Sequence, residues 1–93
     1  MQKRSERHDG WIRVVRDNQL RRMSTEEKGV FMVMVATMWL WGGWLPAGDK
    51  ELAKALGLGR HRWVTKYKPL LAPFFDEQYD PVRGHILVDR EAE

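Results

Sequence analysis

WLPAGDKELAKALGLGRHRWVTKYKPLL (residues 44–71) is the stretch whose reading decides the fold. It opens on Trp44-Leu45-Pro46, where the proline disfavours the helical region for Leu45, so the chain reads as extended. A helix is predicted from about Gly48 to Leu56. Leu52, Ala53 and Leu56 share one face, Asp49 and Glu51 stand in its first turn, and Gly57 follows its end. Leu-Gly-Leu-Gly leaves room only for a tight turn. A further helix is predicted from near Arg60, because Trp63, Tyr67, Leu70 and Leu71 recur at i, i+4, i+7 and i+8 and make one apolar face. Pro69 lies inside that pattern and is expected to kink or shorten the helix.

On the N-terminal side, Ser-Thr-Glu-Glu places Glu27 three residues after Ser24, the spacing of a capping box. A helix should run from there to about Trp41 and stop at Gly42-Gly43, which take a left-handed backbone without strain. Val30 to Trp41 is apolar on nearly every side, which predicts a helix buried at the centre of the domain. Gly29 costs that helix about 1 kcal/mol relative to alanine. Either another segment approaches closely there or the cost is tolerated. Trp11 to Met23 is expected to form a short helix packed on the domain, and residues 1–10 a flexible basic arm. On the C-terminal side, Phe74–Tyr79 and His85–Asp89 read as two strands around an Asp-Pro-Val-Arg-Gly turn. Residues 91–93 read as a frayed end.

The predicted order is helix, short strand, helix, tight turn, helix, hairpin. This is a mainly α fold with a small β-hairpin: a winged helix-turn-helix of three helices with a two- or three-stranded wing, spanning residues 11–90 as a single domain.

Ninety-three residues suit one domain, and 43% hydrophobic residues with five tryptophans supply its core. The absence of cysteine excludes a disulfide framework and thiolate zinc sites. No leader-like apolar stretch occupies residues 1–10, and the longest apolar run is too short to cross a bilayer. A cytoplasmic protein of a bacterial host cell, with no membrane partner, is expected. The net charge of +3 is unevenly placed: residues 1–22 and 60–73 each carry net +4, and residues 74–93 carry net −4. Such asymmetry points to a side that faces a polyanion.

With Trp63 and Tyr67 inward, the last helix turns His61, Arg62, Thr65 and Lys68 outward, with Arg60 and Lys66 at the borders. Long cations that reach phosphates, beside groups that read base edges, are what a recognition helix needs. A merely solvated basic face gives the same pattern. Lys3, Arg4, Arg7, Arg13, Arg16, Arg21 and Arg22 suit an arm that tracks the phosphate backbone, or ordinary solubilisation. Asp76, Glu77 and Asp80 make the wing acidic, which opposes DNA contact there. Trp39, Trp41 and Trp44 read as core, with a self-association patch as the alternative, and Met32, Met34 and Met38 as core filler.

Catalytic patterns are thin. His8, His61 and His85 match no metal spacing, and there is no phosphate-cradling Gly-x-x-x-x-Gly-Lys. No enzyme, cofactor or metal is expected. Two functions remain open. One is a double-stranded DNA-binding module. The other is a protein-interaction module that inhibits or adapts a host machine, including a nucleic-acid-guided defence complex. A homodimer is compatible with either.

The string Ser24, Glu27, Gly29, Trp39, Gly42, Gly43, Leu45, Pro46, Asp49, Leu52, Ala53, Leu56, Gly57, Trp63, Phe74 and Phe75 resembles the YdaU-like domain of phages and prophages. The resemblance covers about residues 11–90. It implies a winged-helix-like domain encoded near phage replication genes and implies no enzyme activity; the DNA-binding reading would then be a role in replication or transcription control.

Overall fold

Asp17 divides the first helical stretch in two. Its Oδ1 accepts hydrogen bonds from the amides of Gln19 (2.8 Å) and Leu20 (3.1 Å), and its own backbone is extended. Where one helix is expected, the chain therefore forms α1 (Gly10–Arg16) and α2 (Asn18–Arg21), because an aspartate that caps a new helix ends the old one. This computed structural model describes residues 10–91. Residues 1–9 of the predicted arm and the last two residues lie outside that range, and Gly10, the arm's last residue, begins α1.

Helix α3 (Thr25–Leu40) begins as the sequence predicts. The Glu27 amide donates to Ser24 Oγ at 3.1 Å, and the Ser24 amide donates to Glu27 Oε1 at 2.8 Å. Gly42 and Gly43, with φ of 96° and 104°, follow its end, and the Gly43 amide bonds to the Met38 carbonyl. Burial departs from expectation. Phe31, Met34, Val35 and Met38 are buried, but Met32, Val33, Ala36 and Leu40 on the opposite side are exposed. The fold covers one face of this helix, although nearly its whole circumference is apolar.

Strand β1 (Leu45–Pro46) leads into α4 (Asp49–Leu56), which closes on Gly57 in the left-handed region. The last helix, α5 (residues 60–71), joins an α-helical turn, Arg60–Arg62, to a π-helical turn, Trp63–Tyr67, and a final α-helical turn, Lys68–Leu71. Pro69 does not break it. Proline cannot donate a backbone hydrogen bond, and its ring crowds the carbonyl four residues back. The wider π turn immediately before it, with the Lys68 amide bonded to the Trp63 carbonyl, provides the room. A short 3₁₀ turn, Ala72–Phe74, then delivers the chain to β2 (Phe75–Asp80) and β3 (Gly84–Asp89).

The three strands form one antiparallel sheet in the order β1-β3-β2. Leu45 pairs with Leu87 on one side of β3, and Glu77 pairs with Leu87 on the other. The described chain is thus mainly helical with a small three-stranded sheet. Trp63, Tyr67, Phe31, Met34, Leu20, Leu45, Leu52 and Leu71 fill the centre, with Phe75 closing it from the sheet. The tryptophan at the centre is Trp63. Trp41 is 42% exposed, and Trp39 and Trp44 are only partly covered, so that trio does not form the core.

Candidate nucleic-acid interface

Helix α5 is anchored by its inward side. Trp63, Tyr67 and Leu71 are each at most 1% exposed, whereas Arg60, His61, Arg62, Thr65, Lys66 and Lys68 are all exposed. Leu70, expected to turn inward, is 38% exposed. The π turn shifts the positions after it around the helix axis, so the inward side continues through Leu71.

The cations border this outward face on two sides. On one side, the first turn of α3 offers Glu26. Its carboxylate accepts from Arg62 Nη2 at 2.9 Å, from Lys66 Nζ at 3.2 Å and from the Tyr67 hydroxyl. The Tyr67 hydrogen bond, and then that of Lys66, hold the Glu26 carboxyl below its usual range. On the other side, the first turn of α4 offers Asp49, which accepts from Trp63 Nε1 at 3.1 Å and from Lys68 Nζ at 2.9 Å. Lys68, then Trp63, lower its pKa against some desolvation, and the charge of Arg60 adds to the effect. His61 and Thr65 lie between the two borders, where Thr65 Oγ1 bonds back to the His61 carbonyl at 2.8 Å.

Arg21 and Arg22 are exposed on the turn that leads into α3, at the end of that helix that carries Glu26. Arg13 is different. It is buried, with Nη1 2.6 Å from Asp89 and Nε 3.3 Å from Glu91, and its guanidinium lies over the Phe31 ring. An arginine held this way braces α1 against the end of β3 and does not belong to a phosphate-tracking surface. Lys3, Arg4 and Arg7 fall outside the described residues.

Acids of the hairpin are paired locally. Asp76 pairs with Arg90 at 3.0 Å, and Glu77 lies 3.7 Å from His85, an ion pair when that histidine is protonated. Asp80 Oδ1 accepts from the amides of Val82 and Arg83, which lower its pKa, and Oδ2 lies 3.5 Å from Arg83 Nη1. Its role is to close the turn. Arg83 in turn rests over the Trp44 ring at 4.9 Å, with Trp41 edge-on behind at 5.0 Å.

The sequence model of the family described as Protein of unknown function (DUF1376) matches residues 12–93. The chain belongs to this family. No curated protein and no solved structure matches it. The family match covers all of α5 and the two acids that border its face, Glu26 and Asp49.

All six α5 residues that the sequence singles out thus share one solvent-facing surface. Glu26 and Asp49, which hold three of them, were not anticipated. Glu26 lies 36–41 residues from its partners, and the only local hint was its place beside the capping Glu27. The Trp44–Arg83 seat had no hint at all. Among the described residues no cluster of His, Asp or Glu is arranged to hold a metal ion, and no helix is long and apolar enough to cross a membrane.

Proposed function

We propose that this chain is a winged-helix module of phage or prophage type, akin to the YdaU-like domains, that binds double-stranded DNA in replication or transcription control in the bacterial cytoplasm. It acts by binding and not by catalysis. The element order and the β1-β3-β2 sheet suit a winged helix, with α5 as recognition helix and the β2–β3 hairpin as wing. The observation that carries the reading is the division of α5: three side chains sunk in the core, and four cations, a histidine and a threonine facing water. Arg60, Arg62, Lys66 and Lys68 border the face where phosphates of a major groove would run, and His61 and Thr65 hold the middle, where base edges would be read. Arg21 and Arg22 extend the basic border. The compensated acids of the hairpin remove much of the repulsion that its composition suggests.

The test is a salt titration of duplex binding. With four to six phosphate contacts, log K should fall with log salt at a slope of about −4 to −5. Arg60 makes no ion pair among the described residues, so Arg60→Glu probes the face without breaking one. It should weaken binding about tenfold or more. Binding equal to wild type, or no duplex binding at low salt, overturns the assignment.

One observation favours a second reading. Glu26 and Asp49 already occupy Arg62, Lys66 and Lys68, which leaves the face less cationic than its residue count. A protein partner that presents carboxylates of its own would suit such a face, as for a module that inhibits or adapts a host complex. A single stoichiometric partner recovered after nuclease treatment, without DNA affinity, would select that reading.

A further inference from the structure

The uncovered side of α3 is a second surface, which meets the α5 face at Glu26. Gly29, Met32, Val33, Ala36 and Leu40 follow one another along it, and all five are exposed, Leu40 at 76% and Val33 at 46%. No residue from Gly29 to Leu40 carries a charge. The nearest charges are Glu26 and Lys28, one turn before Gly29 and Met32 at the end of the stripe, and Glu26 is engaged by α5. Trp41, half exposed, continues the patch at its C-terminal end.

Gly29 is unexplained by the described residues. A side chain built there would meet nothing within 4 Å, and its backbone is ordinary helix. Neither a tight approach nor a special φ requires glycine, yet glycine in a helix interior is unfavourable relative to alanine.

We infer that this stripe is the interface with a second copy of the chain, paired antiparallel about a two-fold axis near residues 34–35. In that register Leu40 of each copy faces Gly29 of the other, and Val33 faces Ala36. In both pairs a larger side chain meets a smaller one, which permits close helix packing. An isologous contact needs a self-complementary surface, and an uncharged stripe with large and small residues in mirrored places provides one. No charge is buried. The antiparallel arrangement also sets the positive end of each helix dipole against the negative end of the other. The stripe runs about 16 Å along the helix. With Trp41 and the flanking side chains it offers on the order of 500 Å² per copy, near the lower bound for a specific contact. Association in the range of about 10–100 µM is therefore expected.

The chain has no cysteine, so introduced thiols report pairing cleanly. Sedimentation equilibrium of the full chain should show a monomer–dimer equilibrium in that range. Leu40→Glu, at a site too exposed to matter for folding, should weaken it at least about tenfold while leaving the near-ultraviolet spectrum of the tryptophans intact. Under mild oxidation, a mixture of Gly29→Cys and Leu40→Cys chains should form the mixed disulfide faster than either chain links to itself. A monomer at every concentration overturns the inference, as does a dimer indifferent to Leu40→Glu. Preferential Gly29→Cys self-linkage excludes the antiparallel register. A stripe covered by a different protein, in a chain that never self-associates, also overturns it.

Discussion

At Glu26 one carboxylate ties three side chains of α5 to the first turn of α3. Its negative charge lies within the surface assigned to DNA, so it competes with phosphate for Arg62 and Lys66. Glu26→Gln keeps the shape and removes the charge; duplex affinity should rise about three- to tenfold, with a steeper salt slope, in a fluorescence titration. The same lowered pKa sets an acid limit. Glu26 and Asp49 both have folded pKa values depressed below their ordinary 4.5 and 3.8. Their contribution to stability is therefore complete above those values and is lost only as pH falls below them through the folded pKa. Thermal melts should be insensitive to these two groups between pH 5 and 7 and should fall below about pH 4, and Glu26→Gln should flatten part of that fall. Arg13 makes the opposite kind of contact, shielded from water between α1 and β3. Asp89→Ala leaves its guanidinium only the exposed Glu91 as a partner and should cost about 2–3 kcal/mol in urea unfolding, more than any surface pair here. Gly29→Ala should stabilise the dilute monomer by roughly 0.5–1 kcal/mol, while it weakens self-association.

Among the elements, those governed by local chemistry were legible. The Ser24–Glu27 box, the glycines after α3 and α4 and the Asp80–Gly84 turn are each specified by residues within a few positions of one another, and each occupies its predicted place. Elements that depend on distant partners were not. The sequence shows that Val30 to Trp41 is apolar; it does not show that the described residues cover only one side of that helix. Asp17 lies inside the stretch expected to form one helix, and it is the cap that splits that helix. Pro69 is expected to kink or shorten α5, and a π turn absorbs it. The outward face of α5 was legible because Trp63 and Tyr67 fix its rotation. Its restraint by Glu26 and Asp49 was not, since acids on two other helices supply it. Trp63 links both levels, as the centre of the core and the donor to Asp49. Trp63→Phe should therefore cost about 1–2 kcal/mol through lost volume and a lost hydrogen bond, and should loosen the Lys68 border of the face, visible as faster amide exchange in α5.

Across the whole molecule, two surfaces divide the labour. One carries cations on α5 and at the end of α2; the other, along α3, carries none. On the two proposals above, the basic side of α5 would meet a polyanion and the uncharged side of α3 a second copy of the chain. Duplex DNA titrated into isotope-labelled protein, followed by amide chemical shifts, tests this division directly. We expect the largest shifts at residues 60–68, with smaller ones at Arg21, Arg22 and Arg83, and little change along residues 29–36 at low protein concentration. Shifts absent from 60–68, or confined to the α3 stripe, would contradict DNA recognition by the cationic side of α5.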